Sequence, residues 1–202
     1  MDPSRLPKPL VVGFSIAILS LPVVSMLVLF PQMVEENSMD FGDYGGYIQS
    51  ALDTPKVFTR EYEDFTCTFT AHHWYKVKGV VVMVKQYKDA MVFSPLDVCV
   101  VWGNVADPEN LEKIEFSHSN RACGWNPPSF ETLDGIPSNA YIIRHLSNNH
   151  LVFSEKKLDD ALDQIHVHDE VTIEGYLVDV ECRREDGTTY HWDSSVIRND
   201  IW

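Results

Sequence analysis

WYKVKGVVVMVKQY, residues 74–87, is the stretch on which the reading of this chain turns. β-Branched and aromatic residues crowd it, which suits a pleated, half-buried surface better than a helix. Gly79 sits inside the run. A glycine within a strand marks a bulge, a bend or a close backbone approach, and here it predicts a strand that turns a barrel corner.

Strand patterns continue on both sides. Upstream, Phe65-Thr-Cys-Thr-Phe-Thr70 alternates apolar with polar residues at period two, the mark of a half-exposed strand. Downstream, within Val92 to Val105, the run Pro95 to Gly103 is almost continuously apolar, as in a strand buried on both faces. Asp107 and Pro108 have the chemistry of an N-cap and first helical position, so a short helical turn is expected there. Residues 118–139 gather Gly, Pro, Asn and Ser and read as a long ordered loop, a kind of segment that often carries function. Ala140 to Leu146 reads as another strand, ending at Ser147-Asn-Asn-His150. Ser154 then opens a helix in which Leu158, Ala161, Leu162 and Ile165 recur at helical spacing. Asp169 to Glu181 alternates, and a turn at Glu185-Asp186-Gly187 leads into Thr188 to Val196 as a hairpin.

These elements predict a mainly β (α+β) domain: a small, partly open antiparallel barrel, OB-like or SH3-like, with one packed helix. A β-sandwich is the alternative.

Before this domain lies Leu10 to Phe30, 21 residues without a charge. At roughly 1.5 Å per residue a helix of that length matches a hydrocarbon core of about 30 Å. An uncleaved anchor is the expectation. The apolar run is longer than the h-region of a cleaved signal, and no small-x-small site follows it. Arg5 and Lys8 precede it, whereas Glu35, Glu36, Asp40 and Asp43 follow it. Basic flanks stay in the cytoplasm. The expected organisation is a cytoplasmic amino terminus (1–9), a transmembrane anchor (10–30), an acidic tether (31–62) with a helical turn or two around Tyr47 to Leu52, and an extracytoplasmic β domain (63–202). In a bacterium the protein would cross the inner membrane once and face the periplasm.

The chain has 16 basic and 30 acidic residues; Arg5, Lys8 and Asp2 precede the anchor, leaving 14 against 29, a net charge of −15 on the exported part. Such a surface repels phosphate backbones, so nucleic acid is not an expected partner. The four cysteines, Cys67, Cys99, Cys123 and Cys182, would meet an oxidising compartment that allows one or two disulfides. Cys67 and Cys182 each sit on an apolar strand face and are a candidate pair, although buried thiols also serve as small hydrophobes. No CxxC pattern occurs, so neither a zinc ribbon nor a thioredoxin-type site is indicated.

Several short segments resemble those of a group of bacterial envelope proteins of uncharacterised activity, which have one amino-terminal membrane segment and a β-rich extracytoplasmic domain. They are Gly79-Val-Val-Val, Pro95-Leu-Asp97 with Val101-Trp-Gly103, Ser147-Asn-Asn-His-Leu151, Gly175-Tyr-Leu-Val178, and Trp192-Asp-Ser-Ser195 with Arg198 and Asp200. The resemblance spans about residues 75–200 and implies an architecture, not a chemistry. It departs at the end: the family continues past Arg-x-Asp with a Gly-rich segment and a Cys-Glu pair, where this sequence has Ile201-Trp202.

The polar and aromatic members of these segments and of the long loop form the candidate ligand site: Asp97, Trp102, Arg121, Asn148, Asn149, His150, Ser194, Ser195, Arg198 and Asp200. In a barrel, Asp97 and Arg198 could pair and the Asn-Asn-His turn could lie at one mouth. The same residue types also form purely structural networks, because buried polar groups need partners. His166 and His168, two apart and so on one face of a strand, are weak metal candidates, and without an HExxH-type spacing no metal is expected. With no GxSxG turn and no glycine-rich phosphate loop, serine hydrolase and nucleotide chemistry are disfavoured. The expectation is therefore a cofactor-free, non-catalytic binding module with an envelope-protein partner. A metal- or haem-handling envelope protein is the alternative.

Overall fold

The computed structural model describes residues 17–19, 45–62, 64–87, 93–152 and 164–193. The fold is mainly β and antiparallel, with no closed barrel among these residues. Among the described residues nine strands appear in chain order: β1 Ala17–Leu19, β2 Gly46–Tyr62, β3 Phe65–Gln86, β4 Leu96–Val101, β5 Glu115–Ser119, β6 Ala122–Asn126, β7 Leu146–Val152, β8 Glu170–Arg184 and β9 Thr189–Trp192. Two short helices, α1 Pro108–Leu111 and α2 Asn139–Arg144, lie between them. The main sheet runs β1-β7-β4-β3-β8-β9 with β2 also on β3, while β5 and β6 form a separate hairpin.

The stretch quoted first lies, all but its last residue Tyr87, in β3, the 22-residue strand around which the sheet is built. β8 follows one edge of β3 from Phe65 to Val80. The other edge is shared: β2 pairs from Phe65 to Lys78, then β4 takes over from Val80 to Gln86. Gly79 stands at this handover. A Cβ there would run into the Val101 carbonyl and lie 2.9 Å from Val100 Cγ1, so only glycine lets the β4 backbone come this close.

The sheet buries both faces around β4, all six of whose residues are buried. One face carries Phe69, Val77, Val98, Val100, Leu151, Leu177 and Val180. The other carries Val82, Cys99, Val101, Ile142 and Leu146, over which Phe116, Cys123 and Trp125 of the hairpin pack. The run read as a doubly buried strand is one. Cys67 and Cys182 stand opposite each other in the β3–β8 register and are disulfide-bonded. A second disulfide joins Cys99 of β4 to Cys123 of β6. The expected cap is also present: Asp107 Oδ1 accepts from Glu109 N at 2.9 Å, with Pro108 opening α1. The β8–β9 turn passes through Gly187 at φ 89°.

Four local readings are corrected. Gly46–Tyr62, expected as tether with a helical turn, is a strand; Gly46, Asp53 and Pro55 look loop-like because it is a largely exposed strand, irregular between Ala51 and Lys56, where its register against β3 shifts. Residues 118–139 are not one long loop: they begin in the β5–β6 hairpin, whose turn places Asn120 and Arg121 at φ 48° and 59°. Ala140 to Leu146 is mostly helix, α2, and the strand follows it. Ser147-Asn-Asn-His150, read as a turn, is the middle of β7; Asn148, Asn149 and His150 are buried there because their polar groups find partners inside the fold. The helix expected after Ser154 lies outside the described residues apart from its end. So does the stretch 10–30 apart from Ala17–Leu19, which pair with Val152–His150 of β7. For those three residues, pairing on the sheet edge and an uninterrupted membrane helix are alternatives. Among the described residues no helix is long and apolar enough to cross a membrane.

Candidate functional site

Asp97 is the second residue of β4, with its side chain fully buried. A carboxylate in that position is costly unless charge and hydrogen bonds meet it. His150 and Arg121 supply them, and His118 stands close by. His150 of β7 stands directly opposite in the register, and its Nδ1 bonds to Asp97 Oδ1. Arg121, at the hairpin tip, places Nη2 2.6 Å from Oδ1 and Nε 3.4 Å from Oδ2. His118, also on the hairpin, brings Nε2 to 3.2 Å from Oδ2, out of line for a hydrogen bond.

Arg121 is held on every side. Its Nη2 also donates to the Ser94 carbonyl at 2.8 Å and to Ser94 Oγ at 3.1 Å. The guanidinium lies 4.3 Å from the Tyr87 ring centroid, within cation–π range. Its own carbonyl accepts from Asn148 Nδ2 at 2.7 Å. The left-handed backbone at Arg121 is unusual for a residue with a side chain; these anchors hold it there. The Cys99–Cys123 bridge ties the hairpin to β4 two residues from Asp97.

The charges follow from the packing. Burial alone would raise the Asp97 carboxyl, but hydrogen bonds from His150 and Arg121 and the charge of both outweigh it and hold the group below its ordinary value. Burial lowers His150 and outweighs the upward pull of Asp97; Arg121 and His118 push the same way as burial. Burial likewise lowers His118 against the pull of Asp97. Tyr87 is raised to about 12, first by burial and then by the charge and hydrogen bond of Asp97. Near neutral pH the cluster therefore holds one anion, one cation and two neutral imidazoles. With Nδ1–H of His150 donated to Asp97, its Nε2 carries the lone pair, and that atom is buried without a hydrogen-bond partner; His118 Nε2, 3.2 Å from Asp97 Oδ2, makes no hydrogen bond either. His118 Nδ1 lies 3.4 Å from the Tyr87 hydroxyl.

Of the residues expected to form a site, Asp97, Arg121, Asn148 and His150 come together. Trp102 and Asn149 do not join them. Trp102 packs 5.7 Å from the Tyr47 ring and 6.2 Å from that of His145. Asn149 faces the opposite side of the sheet and donates to the Val98 carbonyl and to Ser147 Oγ. Ser194, Ser195, Arg198 and Asp200 lie outside the described residues; the guanidinium on Asp97 comes from Arg121. His166 and His168 occupy the turn before β8 and not a shared strand face: His166 is largely exposed beside Asp169, and His168 has φ 76°. Among the described residues no group of three or more His, Cys, Asp or Glu is arranged to hold a metal ion.

Sequence reading missed His118, Tyr87 and Ser94. A signal existed for His118: in Glu115-Phe-Ser-His-Ser119 period two puts Phe116 and His118 on one face, and both point inward. Nothing local marks Tyr87 or Ser94, which reach the cluster through the fold. No protein-family model, curated protein or solved structure matches the chain.

Proposed function

We propose that the chain is a membrane-anchored, extracytoplasmic binding module built on a partly open, OB-like barrel, and that it acts through a protein partner of the cell envelope without catalysing a reaction. One observation carries the non-catalytic part. The most chemically capable side chains are locked into one another: Asp97 is fully buried, and the side chains of His118 and His150 are 2% exposed. A general acid or base must reach its substrate, whereas this cluster joins the hairpin to the sheet. Two disulfides support an oxidising compartment. The 21 uncharged residues with basic residues before them support an anchor in that orientation. The handover at Gly79, where one strand feeds two successive neighbours, supports the barrel-like curvature.

The test pairs two measurements on the full-length protein. Photo-crosslinking in native membranes is expected to trap a discrete partner, and generic ester, phosphate and peptide substrates are expected to remain intact. Turnover of any of them at enzymatic rates, abolished by Asp97→Asn, would replace this reading with a catalytic one.

A second reading, metal handling, draws on one specific observation: the buried Nε2 of His150 has no hydrogen-bond partner, and the buried Nε2 of His118 meets Asp97 Oδ2 at 3.2 Å without forming a hydrogen bond. Buried polar atoms left open in a native fold call for an explanation, a bound ion among them.

A further inference from the structure

The Cys99–Cys123 bridge joins β4, which carries Asp97, to the hairpin that carries His118. Along β4, Cys99 is two residues from Asp97 and so shares its face of the sheet. Across the hairpin, Cys123 is the register partner of His118, and opposed residues of an antiparallel pair have Cβ atoms about 5 Å apart on one face. The bridge joins the two sulfurs. His118 Nε2 and Asp97 Oδ2 complete the approach at 3.2 Å, without the alignment of a hydrogen bond. Two ligand atoms on a tetrahedral zinc ion, each with a bond of about 2.0–2.1 Å, lie roughly 3.3 Å apart.

We infer that reduction of Cys99–Cys123 converts this cluster into a tetrahedral site for a zinc-like divalent cation, with Cys99, Cys123, His118 and Asp97 as ligands. His150 then serves outside the ligand set, orienting Asp97 through its Nδ1–H, as supporting partners of metal-bound groups do. The charges close. Two thiolates and one carboxylate balance the divalent cation and Arg121, leaving the buried site neutral.

The redox step is a thiol–disulfide exchange. A thiolate of a dithiol reductant attacks Cys123 Sγ, since Cys123 is only half-buried and Cys99 fully buried; Cys99 leaves as the thiolate. The second thiol of the reductant resolves the mixed disulfide. Two electrons pass from reductant to protein, the reductant ends as a disulfide, and the two cysteine thiols lose their protons on binding the metal. Cys67–Cys182 has no comparable surroundings: it sits between apolar residues of β3 and β8.

The probe is Co2+, whose spectrum reports both thiolate ligation and coordination number. Full-length protein, reduced anaerobically and freed of reductant, is titrated with Co2+ beside an unreduced sample. The expected result is one Co2+ per reduced chain, with a thiolate-to-metal charge-transfer band and the intense d–d bands of four-coordination, and no such bands in the unreduced chain. Cys99→Ser should abolish the four-coordinate spectrum. His118→Gln should keep the charge-transfer band, weaken the d–d bands and raise the Kd for Co2+ at least tenfold. The double variant Cys67→Ser/Cys182→Ser should bind like the wild type. Absence of the charge-transfer band in reduced wild type overturns the inference. So do full bands in Cys99→Ser, their loss in the Cys67/Cys182 variant, or a His118→Gln spectrum identical to wild type. X-ray absorption on zinc-loaded wild type, expected to show two sulfur ligands at about 2.3 Å, tests the same point without any substitution.

Discussion

Removing Arg121 is the sharpest perturbation of the buried cluster. Arg121→Ala deletes contacts at 2.6 and 3.4 Å to the two Asp97 oxygens and those at 2.8 and 3.1 Å to Ser94, along with the guanidinium over Tyr87. Asp97 then keeps the His150 hydrogen bond but no permanent countercharge. Breaking a buried ion pair by deleting one partner costs about 3–5 kcal/mol. The Arg121 side chain is 15% exposed, so water can enter where it leaves, which favours the lower end, about 3 kcal/mol. The backbone gives little back, because alanine at φ 59° is strained much as arginine is. In a domain of this size about 3 kcal/mol lowers Tm by roughly 6–12 °C. Urea unfolding followed by circular dichroism on the full-length protein measures it. Asp97→Asn should cost less, about 2 kcal/mol, since the freed guanidinium can turn toward water. In the double variant the two costs should fall short of their sum by about 1–3 kcal/mol. An Arg121→Ala protein within 1 kcal/mol of wild type would refute the view that this arginine neutralises Asp97 and seats the hairpin.

Other predictions follow from the same geometry. Stability should fall as the solution is acidified. His118 and His150 are depressed in the fold, so the unfolded chain takes up protons first as pH drops below about 6.5, and Asp97 adds its loss as pH falls below about 3.9; melts of His118→Gln should show a shallower slope between pH 7 and 5 (about that range) than wild type, and equal slopes would count against buried neutral imidazoles. At the alkaline end the sign reverses: Tyr87 is raised to about 12, so stability should drop once the unfolded tyrosine ionises above roughly pH 10, and Tyr87→Phe should remove that part of the drop. Gly79→Ala should destabilise by about 2–4 kcal/mol, because its Cβ meets the Val101 carbonyl; chemical denaturation reads this directly, and a neutral outcome would mean β4 does not approach β3 as described. Loss of Cys67–Cys182, which closes a loop of 115 residues, should cost about 4–5 kcal/mol; a calorimetric change under 1 kcal/mol would argue against this pairing.

Where burial follows an unbroken apolar pattern, the fold was legible. The 74–87 strand with its glycine, the run through Val98 to Val101, the hairpin at Gly187 and the Asp107 cap each have a local cause visible in a few residues. Reading failed where distant residues supplied the cause. β7 holds Asn148 and His150 because Arg121 and Asp97 satisfy them from another part of the chain, and alone such residues look like a turn. Gly46–Tyr62 resembles solvated linker because it is largely exposed and lies beside β3. The site was half legible for the same reason. Asp97 stands out as a charge in an apolar run, and Arg121 and His150 are conspicuous, but their convergence depends on the β4–β7 register and on an unusual left-handed arginine. Tyr87 carries no local mark at all, and His118 only its period-two place beside Phe116 in β5.

The proposal that the β domain is displayed outside the inner membrane by residues 10–30 is tested most directly by a carboxyl-terminal fusion to alkaline phosphatase, which is active only after export, with a matched fluorescent-protein fusion that matures only in the cytoplasm. The account predicts an active phosphatase, a dark fluorescent fusion and protein that stays with carbonate-washed membranes. An inactive phosphatase beside a bright fluorescent fusion in the soluble fraction would contradict it.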